Sequence, residues 1–370
     1  MDQDVMPGAP LALRGRVITP EAVLEDAVVV LRDGVVDYVG PLVTSPVAPP
    51  PPSDLTLLPG LVDVHCHGGG GAGFPDVGSP DQARAAVGEH LRHGTTSLVA
   101  SLVTASRDTL LARTATLAPL LASGELAGLH LEGPFLSPER CGAQDPALMT
   151  TGDPALVREV AEAAGGRLFS MTVAPEVPGV RGAGSVLDAL AEVGALPSFG
   201  HTAATAPVVR AAVEEAAAAL HANGPARRPT ATHLFNGMPS IHHRDPGPAL
   251  ALLAAAARGQ VVVELVADGV HLDPETVRAV ADLVGRVDGL VLVTDAMAAT
   301  GMPDGSYRLG SADVVVDAGV ARLAADGAIA GGTAHLLDVV RHTVAAGVPL
   351  VTAVRAASPA PDRAGSRARE

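Results

Sequence analysis

The segment Asp63-Val64-His65-Cys66-His67 closes an apolar run, and its residue types could bind a metal. Side chains two apart on a strand point to the same side. His65 and His67 would therefore present two imidazoles into one space at a strand's C-terminal end. A later run ends in His130-Leu131-Glu132-Gly133-Pro134. Glu132 falls at the tip, whereas His130, one layer deeper, reads as a core histidine held by hydrogen bonds. Then come Gly200-His201-Thr202, Thr232-His233-Leu234-Phe235-Asn236, and Asp295 in Leu-Val-Leu-Val-Thr-Asp-Ala-Met. A lone histidine is more often structural than a ligand, and His-x-His alone is a weak motif. Ligand-type residues at the tips of several runs, with an acid on another, make a convergent cluster. The set His65, His67, Glu132, His201 and His233 suits zinc first, with iron or another divalent ion possible. One catalytic zinc needs fewer protein ligands, whereas two ions sharing Glu132 would use all of them. The expectation is one or two divalent ions per chain, with Asp295 as the base that takes a proton from water.

Such residues need strands that end together. Eight apolar runs supply them: 57–67, 95–104, 127–132, 168–175, 196–201, 230–235, 261–268 and 289–295. Helical stretches lie between them, at 80–93, 108–121, 154–164, 208–222 and 274–284. Strand–helix alternation over this length predicts an α/β fold, a (β/α)8 barrel of the TIM type, whose active sites sit at the C-terminal ends of the strands. A doubly wound open sheet is the alternative. Residues 11–58 and 304–330 read as short strands broken by Gly, Pro and Asp-Gly. They are expected to pair into one small β-sandwich-like domain beside a barrel of residues 59–303 and 331–357. Residues 358–370 hold no large aliphatic side chain and are expected to be disordered.

Composition narrows the chemistry. The chain has 370 residues and a net charge of −15, so a nucleic-acid partner is not expected. It contains no lysine at all, which excludes Schiff-base catalysis, a P-loop and a metal bridge made by a carboxylated lysine. Two cysteines, Cys66 and Cys141, cannot build a cysteine-only zinc site or a disulfide framework. The first ten residues are acidic and no apolar run approaches the length of a membrane span. A cytoplasmic protein, without membrane partners, is expected.

Together PGLVDVHCHGGGG, LHLEGPF, FGHTAAT, ATHLFNGMPSIHHRDPG, ADGVHL and LVTDAM resemble the amidohydrolase superfamily. Within it they are most similar to the branch that removes the acetyl group from N-acetylglucosamine 6-phosphate. The match runs in order from about residue 11 to 357. The resemblance implies Glu132, His201 and His233 as ligands of one metal, with His65 and His67 adding a second site. It implies Asp295 as general base, then general acid. It implies sugar-phosphate contacts from Asn236, Gly237 and His271, and from Arg244 reaching in from the neighbouring subunit of a homodimer. Ala143 and Ile329-Ala330-Gly331 match substrate-contacting positions. Without that resemblance, His242 and His243 read as solvated loop residues. The branch usually carries a histidine where this chain has Gln144, which can donate a hydrogen bond but carries no charge. It also usually continues past the Ser-Pro-Ala region into strands that complete the small domain, so a truncated small domain is expected here. Two alternatives stand beside this reading: a deacetylase of another N-acetyl sugar phosphate, and a weakly active or inactive barrel kept for binding.

Overall fold

The computed structural model describes residues 9–19, 22–225 and 227–358; the predicted tail, apart from Ser358, lies outside the described residues. Eight parallel strands follow one another in chain order: Leu61–Cys66, Thr95–Val103, Gly128–Glu132, Leu168–Val173, Leu196–Phe199, Thr230–Ala231, Val262–Leu265 and Leu290–Leu292. Each falls within one of the eight predicted runs. The sheet curls until its last strand meets its first. The seam is closed by a parallel bridge between Cys66 and Ala296. There the Asp295 amide donates to the His65 carbonyl (2.9 Å) and the His67 amide to the Ala296 carbonyl (2.7 Å). Below them the buried Asp63 carboxylate accepts from the Thr294 hydroxyl at 2.6 Å and from the Thr294 amide at 3.3 Å. The barrel is thus completed by the same residues that carry the chemistry.

The helices start where the sequence caps them. Pro80–Arg92, Pro154–Ala163 and Pro274–Val284 each open on a proline, preceded by Ser79, Asp153 and Asp273, whose side chains accept from amides of the first turn. Proline at that position sacrifices no helical hydrogen bond, and the cap satisfies an amide that would otherwise be bare. Arg107–Ser123 and Ala206–Asn223 are also near their predicted places, and Leu336–Ala345 follows the insertion. Val186–Glu192, Gly247–Ala257 and Leu350–Ala357 are helices the sequence reading did not single out. Gly247–Ala257 is Ala and Leu nearly throughout and mostly buried, so it lacks the polar face that reveals a helical period. The core between helices and sheet is Ala, Val and Leu, as the scarcity of aromatics requires.

Gly68–Gly69 and Ala72–Gly73 form a two-stranded pair, and two larger sheets flank the barrel. Val35–Gly40, Val23–Arg32, Leu11–Ile18 and Thr56–Leu57 form one in that order. Gly305–Leu309, Ala312–Asp317 and Val320–Leu323 form another, antiparallel throughout. The expected pairing between these two sets is not found among the described residues. The reason lies in the insertion's apolar face: Leu309, Val314, Val316, Ala321 and Ala330 pack on Val103, Met297 and Ala299, which belong to the strand-tip segments of the barrel and their continuations. The insertion therefore walls the site.

Candidate functional site

Every predicted metal-ligand side chain arrives at one point. His65 is the last residue but one of the first strand and His67 follows that strand; Glu132 ends the third; His201 and His233 lie two residues beyond the fifth and sixth. His201, His233 and Asp295 have φ values of 46°, 27° and 50°, a backbone region that residues other than glycine seldom adopt. Each turns its side chain inward as the chain leaves its strand. Gly237 leaves room for this: a Cβ there would stand 2.8 Å from His201 Nδ1, and its φ is 61°.

Two donor sets share Glu132. One is His65, His67, Glu132 and Asp295; the other is Glu132, His201 and His233. In the second, Glu132 Oε1 lies 2.9 Å from His201 Nε2 and 2.8 Å from His233 Nε2. In the first, Glu132 Oε2 lies 3.1 Å from His67 Nε2, and Asp295 Oδ1 is 3.4 Å and 3.2 Å from the Nε2 atoms of His65 and His67.

The tautomers show what this arrangement is for. His65 Nδ1 faces the Glu264 carboxylate at 3.0 Å, His67 Nδ1 the Ser101 carbonyl at 3.1 Å, and His201 Nδ1 the Arg140 carbonyl at 2.8 Å. Each of these Nδ1 atoms carries a hydrogen, so a neutral ring would present Nε2 as a lone pair. The Nε2 atoms of His65 and His67 face each other at 3.2 Å, and two lone pairs there would repel unless a proton or a metal cation stands between the rings. His201 and His233 also meet Nε2 to Nε2 at 3.2 Å, and there the His233 tautomer is not set, since its Nδ1 has no partner. Electrostatics point the same way. Burial alone would lower the His65 pKa, but Asp295, Glu264 and Glu132 outweigh it and hold it at about 10. His67 is held at about 9 by Asp295 and Glu132 against the same penalty. Glu132 and Asp295 sit well below the usual carboxylate range, although burial opposes this, because histidines surround them. The site demands positive charge, and its donors fit a divalent metal ion.

His130 is a core histidine, as expected. Its ring nitrogens meet the Ser101 and Thr172 hydroxyls, both at 2.9 Å, and burial with His65 beside it drives its pKa well down. Cys66 is fully buried beside His90, its thiol pushed well up by burial, so it is inert.

The pocket over the metal set is lined by Ala143, Gln144, Asn236, Gly237, His271, Ile329 and Gly331, together with His67, Glu132, His201, His233 and Asp295. Two predicted contacts are not among its lining residues. Ala330 is buried in the insertion's apolar cluster, its amide bonded to the Ala321 carbonyl. Arg244 is exposed, with Nη1 2.8 Å from His243 Nε2. Gln144 is buried and does not simply stand in for a substrate-facing histidine. Its amide donates to Glu132 Oε2 at 2.5 Å, and its oxygen accepts from the Thr104 amide at 2.8 Å. It clamps the shared carboxylate. Two acids were missed. Asp268 holds His271 Nδ1 at 2.8 Å and raises the His271 pKa against burial. Glu264 backs His65. An acid inside the apolar run Val261–Val266 was the available signal.

The chain belongs to the amidohydrolase family, which residues 56–367 match. Among particular relatives, it is 34% identical over 300 residues to the N-acetylglucosamine-6-phosphate deacetylase of Bacillus subtilis, covering 79% of this chain and 70% of that one. It is 31% identical over 353 residues to the N-acetylgalactosamine-6-phosphate deacetylase of Escherichia coli O157:H7, covering 94% and 87%. A solved mutant of the N-acetyl-D-glucosamine-6-phosphate deacetylase of Mycobacterium smegmatis, in complex with N-acetyl-D-glucosamine-6-phosphate, superposes with a TM-score of 0.85. Identity to it is 40%, covering 96% of this chain and 90% of that one.

Proposed function

We propose that this chain hydrolyses the acetamide of N-acetylglucosamine 6-phosphate, giving glucosamine 6-phosphate and acetate in amino-sugar breakdown. The observation that carries the reading is the pair of donor sets sharing Glu132, with Asp295 beside them, at the floor of a pocket that also holds His271. The relatives' activities supply the substrate class. Glu132, His201 and His233 would hold one divalent ion, and His65, His67, Glu132 and Asp295 a second; zinc is the expected metal. Such an ion supplies Lewis-acid polarisation of the amide carbonyl and acidifies a water. Asp295, kept ionised by its histidine neighbours, accepts the water's proton. It then returns that proton to the departing nitrogen, because an amide anion is too poor a leaving group. Asp268 keeps His271 inclined to carry positive charge, which suits a phosphate. Gln144 and Glu264 hold the ligands in place.

The wider assignment is a cytoplasmic homodimer. The two unpaired cysteines favour a reducing compartment, and no helix among the described residues is long and apolar enough to cross a membrane. Arg244, exposed and absent from its own pocket, would complete the phosphate site of the partner. The test is acetate release from N-acetylglucosamine 6-phosphate by purified protein, before and after chelation and after zinc is restored. Activity that ignores chelation, or no activity in the zinc-loaded protein, sinks the proposal. The likeness to the N-acetylgalactosamine-6-phosphate deacetylase favours a second reading, and the two epimers run in parallel separate them.

A further inference from the structure

Glu264 is the third residue of the seventh barrel strand, Val262–Leu265, and lies within the run Val261-Val262-Val263-Glu264-Leu265-Val266. It is 3% exposed, and Val263, Leu265 and Val266 are fully buried around it. A carboxylate in such a place is costly unless it is well hydrogen-bonded. Its Oε2 accepts from His65 Nδ1 at 3.0 Å and from the His233 amide at 3.2 Å. One oxygen thus touches a member of each donor set, behind the point where Glu132 touches both from the front.

The two contacts differ in kind. To His233 the bond is to the main chain, at a residue with φ of 27°, so it steadies the turn that aims the ring. To His65 the bond is to the ring itself. It places hydrogen on Nδ1 and so leaves Nε2 free to coordinate. A full negative charge behind an imidazole also makes it a stronger donor. The other rings have no such support: His67 and His201 lean on the neutral carbonyls of Ser101 and Arg140, and His233 Nδ1 has no partner.

We infer that Glu264 is the positioning residue that lets the first donor set hold its ion, by fixing the hydrogen on His65 and raising that ring's donor strength. This rests on the reading of the site as a metal centre. Glu264→Gln has the same shape, and with its oxygen at the Oε2 place it can still accept from both His65 Nδ1 and the His233 amide. What it removes is the negative charge behind the His65 ring, and with it the added donor strength of Nε2.

The experiment is equilibrium dialysis of full-length wild type and Glu264→Gln against chelator-buffered zinc, with elemental analysis at each free-zinc level. Cobalt(II) absorption spectra are recorded on the same proteins, with melting temperatures of the ion-free forms. The expected result is two binding steps in the wild type. In the variant one step is unchanged and the other is weakened about 10–100-fold, the usual cost of losing an outer carboxylate. The cobalt spectrum of that step alone should change, and the ion-free melting temperature should hold. Glu264→Asp keeps the charge but shortens its reach; it serves the same measurement if the Gln variant does not fold, with the same selective loss expected. A folded variant that binds both ions as the wild type does overturns the inference. So does an equal loss at both steps, the mark of a purely structural role. A wild type that binds no ion overturns the metal reading itself, and this inference with it.

Discussion

Replacing Asp295 by Asn tests the proton route with little disturbance of the fold. Asp295 follows the eighth strand at φ 50°, and its amide bonds the His65 carbonyl across the barrel seam. Asn tolerates that backbone region about as well as Asp and keeps the amide, so no large folding cost arises there. The side chain changes in two ways. It loses its capacity to take a proton, and it loses the charge that helps lift His65 and His67. The first loss should lower kcat by roughly 10²–10⁴-fold, the range for general acid–base catalysis, or about 2.7–5.4 kcal/mol in barrier height. The second should weaken the ion of the first donor set more than that of the second, because Oδ1 lies 3.4 Å and 3.2 Å from the first pair of rings. Acetate release is therefore measured across a zinc titration, so that metal loss is titrated out and the residual deficit in kcat is isolated. A folded, zinc-saturated Asn variant with near-normal turnover would remove Asp295 from the mechanism.

Other consequences follow from the same geometry. With His65 and His67 held at about 10 and about 9, both rings are protonated at pH 7 without metal, so filling the first set should release about two protons. Its affinity should climb as pH rises from 7 toward 9 and level off above about 10; titration calorimetry in buffers of different ionisation enthalpy reads this directly, and a pH-independent affinity contradicts it. Arg244→Ala should raise KM for the 6-phosphate substrate, by on the order of 2–4 kcal/mol in binding, and leave kcat less changed. Equal losses on unphosphorylated N-acetylglucosamine would make Arg244 structural. His130→Leu removes the partner of the Ser101 and Thr172 hydroxyls and should cost about 1–3 kcal/mol in denaturant unfolding. An unchanged midpoint and slope would show that those hydroxyls repair their bonding without it.

The barrel could be read from the chain because apolar runs and capped helices alternate with little ambiguity. Ser79-Pro80, Asp153-Pro154 and Asp273-Pro274 state three helix starts outright. The cluster of His65, His67, Glu132, His201 and His233 was legible because such residues end several different runs at once, where any one alone would more often be structural. Glu264 was not, since its contacts to the His65 ring and the His233 amide appear only once the barrel brings their strand ends together. Asp268 holds His271 only three residues on, but a loop acid carries no mark in the sequence that its neighbour's ring turns back to it. Gln144 was legible as a departure but not as a clamp. Its partners Glu132 and Thr104 come from two different strand ends, so sequence distance conceals the contact. The insertion's place was missed because short antiparallel strands carry no address. What directs 304–330 to the barrel mouth is the apolar match to Met297 and Ala299.

The barrel's seam has a bearing on how the molecule comes apart. Its first and last strands are joined through Asp63 and Thr294, through Cys66 and Ala296, and through the main chain of His65, His67 and Asp295, rather than by a long regular ladder. An ion in the first set would grip both edges at once, with His65 and His67 on one side and Asp295 on the other. It would act as a rivet, adding stability in proportion to the logarithm of its concentration above its dissociation constant. Removing it would loosen the join before the rest of the barrel, so amide exchange near residues 63–67 and 294–296 should quicken first. Catalytic readiness and resistance to unzipping would then be two readings of one occupied site.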